Sequence, residues 1–322
     1  MWRRNAFVVA FLLAQEMATS SSGQQRPVAG LLSQAQWIRF EIVLGRITAV
    51  TLSCGPTHCE GPAGADGAVR ELLSFNGDAA LPALVYESQD SQQSLRISVT
   101  NRTQVIILRE PAPGSQLTPV RFTQSSWGKV SLVVGQGSGQ RSHDAASLWH
   151  LLLTAPEDSQ EHLLPLLNVL RADWRLEDAI AHVETALCRV AANSLPKQPV
   201  AELVARLDDP SFPRRQAADR ALRGLGLSAL AHLESLDRSR LTGEQRLRVR
   251  KLCEELRCAT PDTPDRVATW LASDESVWSA WLSHGDGTRR LAAEWGLAAI
   301  RGQAPPALDR TRLAQLPDRQ RD

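Results

Sequence analysis

The chain carries almost no net charge: 36 Lys and Arg stand against 35 Asp and Glu, a formal +1 at pH 7. That balance gives no global attraction to nucleic acid or to a membrane surface, so any such binding has to come from a local patch. Long hydrophobic runs are also lacking. The apolar run Ala6–Ala14 has nine residues, far short of the roughly 20 that a spanning helix needs, and no later segment is long and apolar enough. No Cys follows that run until Cys54, which removes the acceptor for a lipid anchor. No Gly-x-Ser-x-Gly stretch marks a nucleophile elbow, and no His-x-x-x-His pair marks a metal-binding helix.

What is present begins at the amino terminus. Trp2-Arg3-Arg4-Asn5 gives a positive segment, Ala6–Ala14 an apolar one, and Ala18–Gly23 a set of small residues. This order is that of a signal peptide over residues 1–23, cut between Ser20 and Gly23. It implies a soluble mature chain, periplasmic or extracellular, in a compartment that permits disulfides. Five cysteines follow. Cys54 and Cys59 enclose Gly-Pro-Thr-His, and we expect them to form a disulfide. The alternative is a metal held by Cys54, His58 and Cys59, which needs a fourth ligand from elsewhere. Cys253 and Cys258 are separated along an expected helix, and Cys188 on an apolar helix face reads as a free thiol.

The 322 residues, 43% hydrophobic and 22% charged, suit about two globular domains. Residues 24–34 are polar and read as flexible. From 35 to 135 the period is that of strands: Ile38, Phe40 and Ile42 alternate with Arg39 and Glu41, and Leu95, Ile97 and Val99 with Arg96 and Ser98. Short strands separated by turn signals predict an antiparallel β-sandwich or small barrel. Gly135-Gln136-Gly137-Ser138-Gly139 opens an expected Gly/Ser linker, 136–143. Residues 144–193 read as a helical hairpin or bundle, with Asp144 as a helix cap and a stripe Leu176, Ile180, Val183, Leu187, Val190 at helical spacing. Residues 194–199 form a second linker, and 303–322 a flexible tail. The fold class is therefore α+β.

Residues 200–302 read as helical and repetitive. Arg214-Arg215-Gln216-Ala217-Ala218 returns as Arg289-Arg290-Leu291-Ala292-Ala293, and Arg246–Leu256 lies between them with a similar pattern. The unit Leu203–Leu236, with a short helix, an Asp-Asp-Pro turn, an Arg-Arg-x-Ala-Ala helix and Gly226, resembles a HEAT/armadillo-type repeat. The resemblance covers about a third of the chain and implies a curved stack of helix pairs used for binding rather than catalysis. The two prolines in Thr260–Asp265 and the uneven spacing depart from that pattern.

Residues that suggest chemistry each have a plainer reading. The glycine loop at 135–139 precedes a helix, as in a phosphate cradle, but lacks the Lys-Ser/Thr pair and the parallel β-α-β setting, and reads as a linker. Ser142, His143 and Asp144 are adjacent, whereas a Ser-His-Asp hydrolase draws its groups from separate segments. Trp270, Trp278, Trp281 and Trp295 read as helix core. Arg238, Arg240, Arg246, Arg248, Arg250 and Lys251 form a basic run suited to an acidic protein partner. The expectation is an exported, non-catalytic binding or scaffold protein, with no catalytic residue, cofactor, metal or nucleic acid assigned. Two alternatives use the β-rich part: an envelope-polymer hydrolase with Asp66, Glu71 or Glu87 as acid and base, and a carbohydrate-binding protein with Trp37 or Trp127 as stacking platform.

Overall fold

Apolar residues at every second position build the first half of the fold. The computed structural model describes residues 31–35, 38–51, 57–63, 68–76, 83–126, 128–192, 200–256 and 261–303. After a single helical turn, α1 (Leu31–Gln34), come β1 (Ile38–Val43) and β2 (Arg46–Thr51). Ile38, Phe40, Ile42, Ile47 and Ala49 are buried in them, the period of a strand with one face in the core. The two strands pair antiparallel, with Val43 opposite Arg46. Their turn, Leu44–Gly45, has φ values of +55° and +68°. Positive φ at both central residues makes the turn's twist match that of the strands.

Eight further strands follow: β3 (Thr57–Ala63), β4 (Val69–Asn76), β5 (Ala83–Gln89), β6 (Gln93–Thr100), β7 (Gln104–Pro111), β8 (Val120–Gln124), β9 (Val130–Val134) and β10 (Arg141–Ala145). They form one sheet in strict sequence order, every neighbouring pair antiparallel. The expected sandwich or barrel is thus an open meander with β3 and β10 at its edges. Closure is unnecessary because helices and the β1–β2 hairpin cover the inner face. The expected linker 136–143 is a tight connection, with one 3-10 turn at Gly137–Gly139, leading into edge strand β10.

The register aligns inward side chains in rows. One row runs Leu73, Tyr86, Ile97, Ile107, Phe122, Leu132 and ends at His143. All but the last are buried core, each large side chain contributing roughly 1.5–3 kcal/mol. The adjacent row along one rim carries Glu71, Arg109 and Arg141, so the inner face turns polar there.

The helical half begins with α2 (Leu148–Thr154), whose residues Leu148–Leu153 are all buried. A helix apolar on every side lies between layers, here between the sheet and later helices. Its cap is Ser147, whose side chain accepts from the His150 amide; the expected cap Asp144 lies instead on β10. Then come α3 (Pro156–Asp158), a π-turn at Ser159–Leu163, α4 (Leu164–Leu170) and α5 (Leu176–Ala192). The remaining helices are α6 (Val200–Arg206), α7 (Phe212–Leu225), α8 (Leu227–Ser235), α9 (Gly243–Leu256), α10 (Pro264–Leu271), α11 (Glu275–His284) and α12 (Gly287–Ile300). None of the described helices is long and apolar enough to cross a membrane.

Two cores divide these helices. The larger joins the sheet, the hairpin, α2, α4, α5 and α10–α12. The smaller belongs to α6–α9 alone. The block expected as one unit, 200–302, therefore splits. Its last three helices carry Val267, Leu271, Trp278 and Trp281, which fill the main core. Gly296 lets Trp278 lie directly on α12: a Cβ there would meet the indole at 2.3 Å. Leu44 and Trp270 pack against the smaller core, and Trp270 touches both.

The β1–β2 hairpin ties the parts together. Gln124, 2% exposed, accepts from the Ile47 amide at 2.9 Å and donates to its carbonyl at 2.8 Å, so a side chain on β8 replaces a neighbouring strand. Arg46 donates to the carbonyls of Ser125 and Gly128, and Arg171 to that of Phe40 at 3.0 Å. The Asp262 carboxylate accepts from the Leu44 amide (2.9 Å), the Gly45 amide (2.6 Å) and the Trp149 indole (2.8 Å). Burial raises its pKa, and those three donors pull the other way.

Candidate functional site

The alternation of strands separates several expected partners. His58 is exposed on β3 while Cys59 is half-buried and packs against the main core; neighbouring strand residues face opposite sides. Cys54, Asp66, Trp37 and Trp127 lie outside the described residues. Among the described residues no group of three or more His, Cys, Asp or Glu is placed to hold a metal. Cys188 is buried, which pushes its thiol up to about 12. Glu71 points inward and accepts from the Tyr86 hydroxyl at 2.7 Å and the Leu31 amide at 2.5 Å. Glu87 is on the opposite face, paired with Arg96 at 2.9 Å. The two carboxylates do not converge.

The Ser142-His143-Asp144 trio is split the same way on β10. His143 turns inward and meets Asp158 at 2.6 Å. Arg141, two residues before it, makes a two-point bond to the same carboxylate, with Nη2 at 2.5 Å and Nε at 2.9 Å. Arg141 first, then His143, pull the Asp158 pKa down to about 2 against its burial. The π-turn brings His162 beside Asp158, at 3.9 Å. Arg109 donates to His162 Nδ1 at 3.4 Å and to the Thr118 carbonyl at 3.1 Å. Wide π-turns are often found at functional sites. Here the turn docks the helical layer on the polar rim of the sheet.

A Ser-His-Asp chain does exist, in residues that the sequence reading passed over. Ser147 Oγ lies 2.7 Å from His150 Nδ1, and His150 Nε2 lies 3.1 Å from Asp274 Oδ2. The His150 bond holds Asp274 below the usual carboxylate range, and Trp270 meets the His150 ring edge-on at 5.1 Å. No substrate reaches the serine, however. Ser147 is 1% and His150 3% exposed, and the Gly45 turn sits so close that a Cβ there would lie 2.7 Å from Ser147 Oγ. Nucleophilic attack needs an open site about 3 Å from the nucleophile, so this chain fastens α2 to the α10–α11 connection. The separation of 124 positions between His150 and Asp274 left no local motif to find.

The outward-facing groups on the α6–α9 unit are different. The side chains of Arg223 and Glu255 pair across α7 and α9. Gln245, near the start of α9, donates to the Val204 carbonyl near the end of α6 at 3.3 Å. Because the end of α6 leads into α7, these contacts set α7 and α9 side by side in the same direction. On α9, Val249, Leu252 and Cys253 face inward. Leu247 is 52% exposed, and Arg246, Arg250 and Lys251 around it are exposed. Of the expected basic run, Arg248 is paired with Glu244 at 2.6 Å and Arg240 with Asp237 at 3.2 Å. Arg238, Arg246, Arg250 and Lys251 make no ion pair among the described residues. Phe212, at the start of α7, is 55% exposed beneath the Arg215 guanidinium.

No known protein family, curated protein or solved structure matches the chain. Function therefore has to be argued from these surfaces alone.

Proposed function

We propose that this chain is an exported, non-catalytic binding or scaffold protein that holds an acidic protein partner on its α6–α9 unit. The observation that carries the reading is the exposed ridge of α9. Arg246 and Arg250 are one helical turn apart, a like-charge spacing that costs an isolated helix a few tenths of a kcal/mol. Both flank a large apolar side chain that is half in solvent. An exposed leucine ringed by unspent cations suits a partner that brings carboxylates around an apolar anchor.

The same-direction packing of α7 and α9 supports the HEAT/armadillo-like reading for this unit, since stacked helix pairs set equivalent helices parallel. Export rests on the signal-like residues 1–23, which lie outside the described residues. The test is affinity capture from envelope extract with the full mature chain and its Arg246→Glu/Arg250→Glu variant, at low and raised salt. The reading expects a partner retained by the parent, released as salt rises, and lost by the variant. Retention of the same partner by the charge-reversed chain overturns it.

A further inference from the structure

We infer a second, separate binding site on the outer face of the eight-stranded sheet, built to take a neutral polyhydroxylated ligand, a carbohydrate. The site is a hollow of about 510 Å³ across β4–β7, within the range of small-molecule pockets. It is remote from the helical surface in sequence and in chemistry.

The register dictates what lines it. Leu72, Glu87, Arg96 and Leu108 stand side by side on successive strands and point outward. The next outward row, two residues along each strand, is Arg70, Gln89, Ser94 and Glu110. The outward side chains that line it are two guanidiniums, two carboxylates, an amide and a hydroxyl, with a leucine at each end of the first row; Glu71 and Ser88 border the hollow from the inward-facing register between the two rows. Two features of this set bear on the ligand. The charge of the outward side chains, Arg70 and Arg96 against Glu87 and Glu110, sums to zero, and Glu71 beneath them is buried and turned to the Tyr86 hydroxyl and the Leu31 amide, so the outward groups favour neither an anion nor a cation. The set's polar groups are planar forks or small hydroxyls in a two-by-four array with strand spacing of about 4.8 Å, and each Arg offers paired donors where each Glu offers paired acceptors. Vicinal hydroxyls, which donate and accept from adjacent carbons, match such an array. The C–H faces of a sugar ring match the two leucines.

The Glu87–Arg96 pair, 2.9 Å apart with side chains 44% and 55% exposed, holds two of these groups in place before a ligand arrives. A surface pair of this kind contributes little to stability, so positioning is the better account of it. A pre-set array also loses less entropy on binding.

The test uses the full mature chain and three probes: cellotriose, chitotriose and, as a charged comparison, trigalacturonic acid. Calorimetric titration at two salt concentrations is the readout. The inference expects millimolar or tighter binding of at least one neutral trisaccharide, unchanged by salt and tighter than the acidic one. Ser94→Trp fills the centre of the hollow from an exposed strand position and is expected to weaken binding at least tenfold, with unfolding unchanged as the check on folding. Glu110→Gln keeps shape and removes charge, and is expected to weaken it severalfold. Absence of binding by both neutral probes, a preference for the acidic one, or binding indifferent to Ser94→Trp overturns the inference. Arg246→Glu/Arg250→Glu leaves sugar binding intact, so failure here and failure of the partner-binding proposal are read separately.

Discussion

Replacing Asp262 tests whether one carboxylate clamps the amino-terminal hairpin. Oδ1 takes the Leu44 amide, while Oδ2 takes both the Gly45 amide and the Trp149 indole. Asp262→Ala leaves three N–H groups without an acceptor. An unsatisfied buried donor costs about 1–3 kcal/mol; water reaches part of this site, so a total near the low end, about 3 kcal/mol, is expected. Asp262→Asn keeps one oxygen. If that oxygen takes the two-donor position, the new NH₂ faces the Leu44 amide, and the loss is about 1–2 kcal/mol. Trp149→Phe removes one donor and costs about 1 kcal/mol. Combined with Asp262→Ala it adds less than its own value, because the partner is already gone. Urea unfolding followed by far-ultraviolet circular dichroism measures all four chains. An Asp262→Ala chain within about 0.5 kcal/mol of the parent, the range of ordinary surface changes, refutes the clamp.

Asp158, with its pKa held at about 2 against an ordinary 3.8, binds its proton more weakly folded than unfolded. It stabilises the fold by about 2 kcal/mol above pH 3.8. That contribution fades as the pH falls from 3.8 through 2, so Asp158→Asn lowers stability at pH 7 and flattens the acid limb of a stability–pH profile. Gly296→Ala, in the middle of α12, improves helix propensity yet drives a methyl into the buried Trp278 ring; thermal unfolding should show a net loss of about 1–3 kcal/mol. Arg102, with φ of +63° in the β6–β7 turn beside Asn101 at +51°, is exposed. Arg102→Gly removes a Cβ from a left-handed backbone position in the three-residue loop 101–103 and is expected to raise stability by roughly 0.5–1 kcal/mol in the same assay.

The strand half was legible because its signal is local. Leu95, Ile97 and Val99 against Arg96 and Ser98 declare a half-buried strand without any other part of the chain. β10 was missed since two of its three inward residues, Arg141 and His143, bond to Asp158 and only Ala145 enters the apolar core; the alternation is there in geometry but not in polarity. The split of 200–302 was hidden for another reason. Ala292 and Ala293 in α12 repeat the letters of Ala217 and Ala218 in α7, yet both of the former are buried in the main core while Ala217 is exposed. Helical period shows which face is apolar, not which neighbour covers it. The basic run was plain as a run, but which of its cations are paired is settled by Glu244 one turn before Arg248 on α9 and by Asp237 three residues before Arg240.

The hairpin clamp also fixes an order of events. Leu44 and Asp262 are 218 residues apart, so the first strands leave the ribosome long before their carboxylate is made. At roughly 5–20 residues per second, that interval is on the order of ten seconds or more. During it, the Leu44 and Gly45 amides of the β1–β2 turn lack the carboxylate that accepts from them. Contacts so distant along the chain slow folding, whereas the eight-stranded sheet pairs only consecutive strands and does not wait for them. The last-made third completes the first-made hairpin.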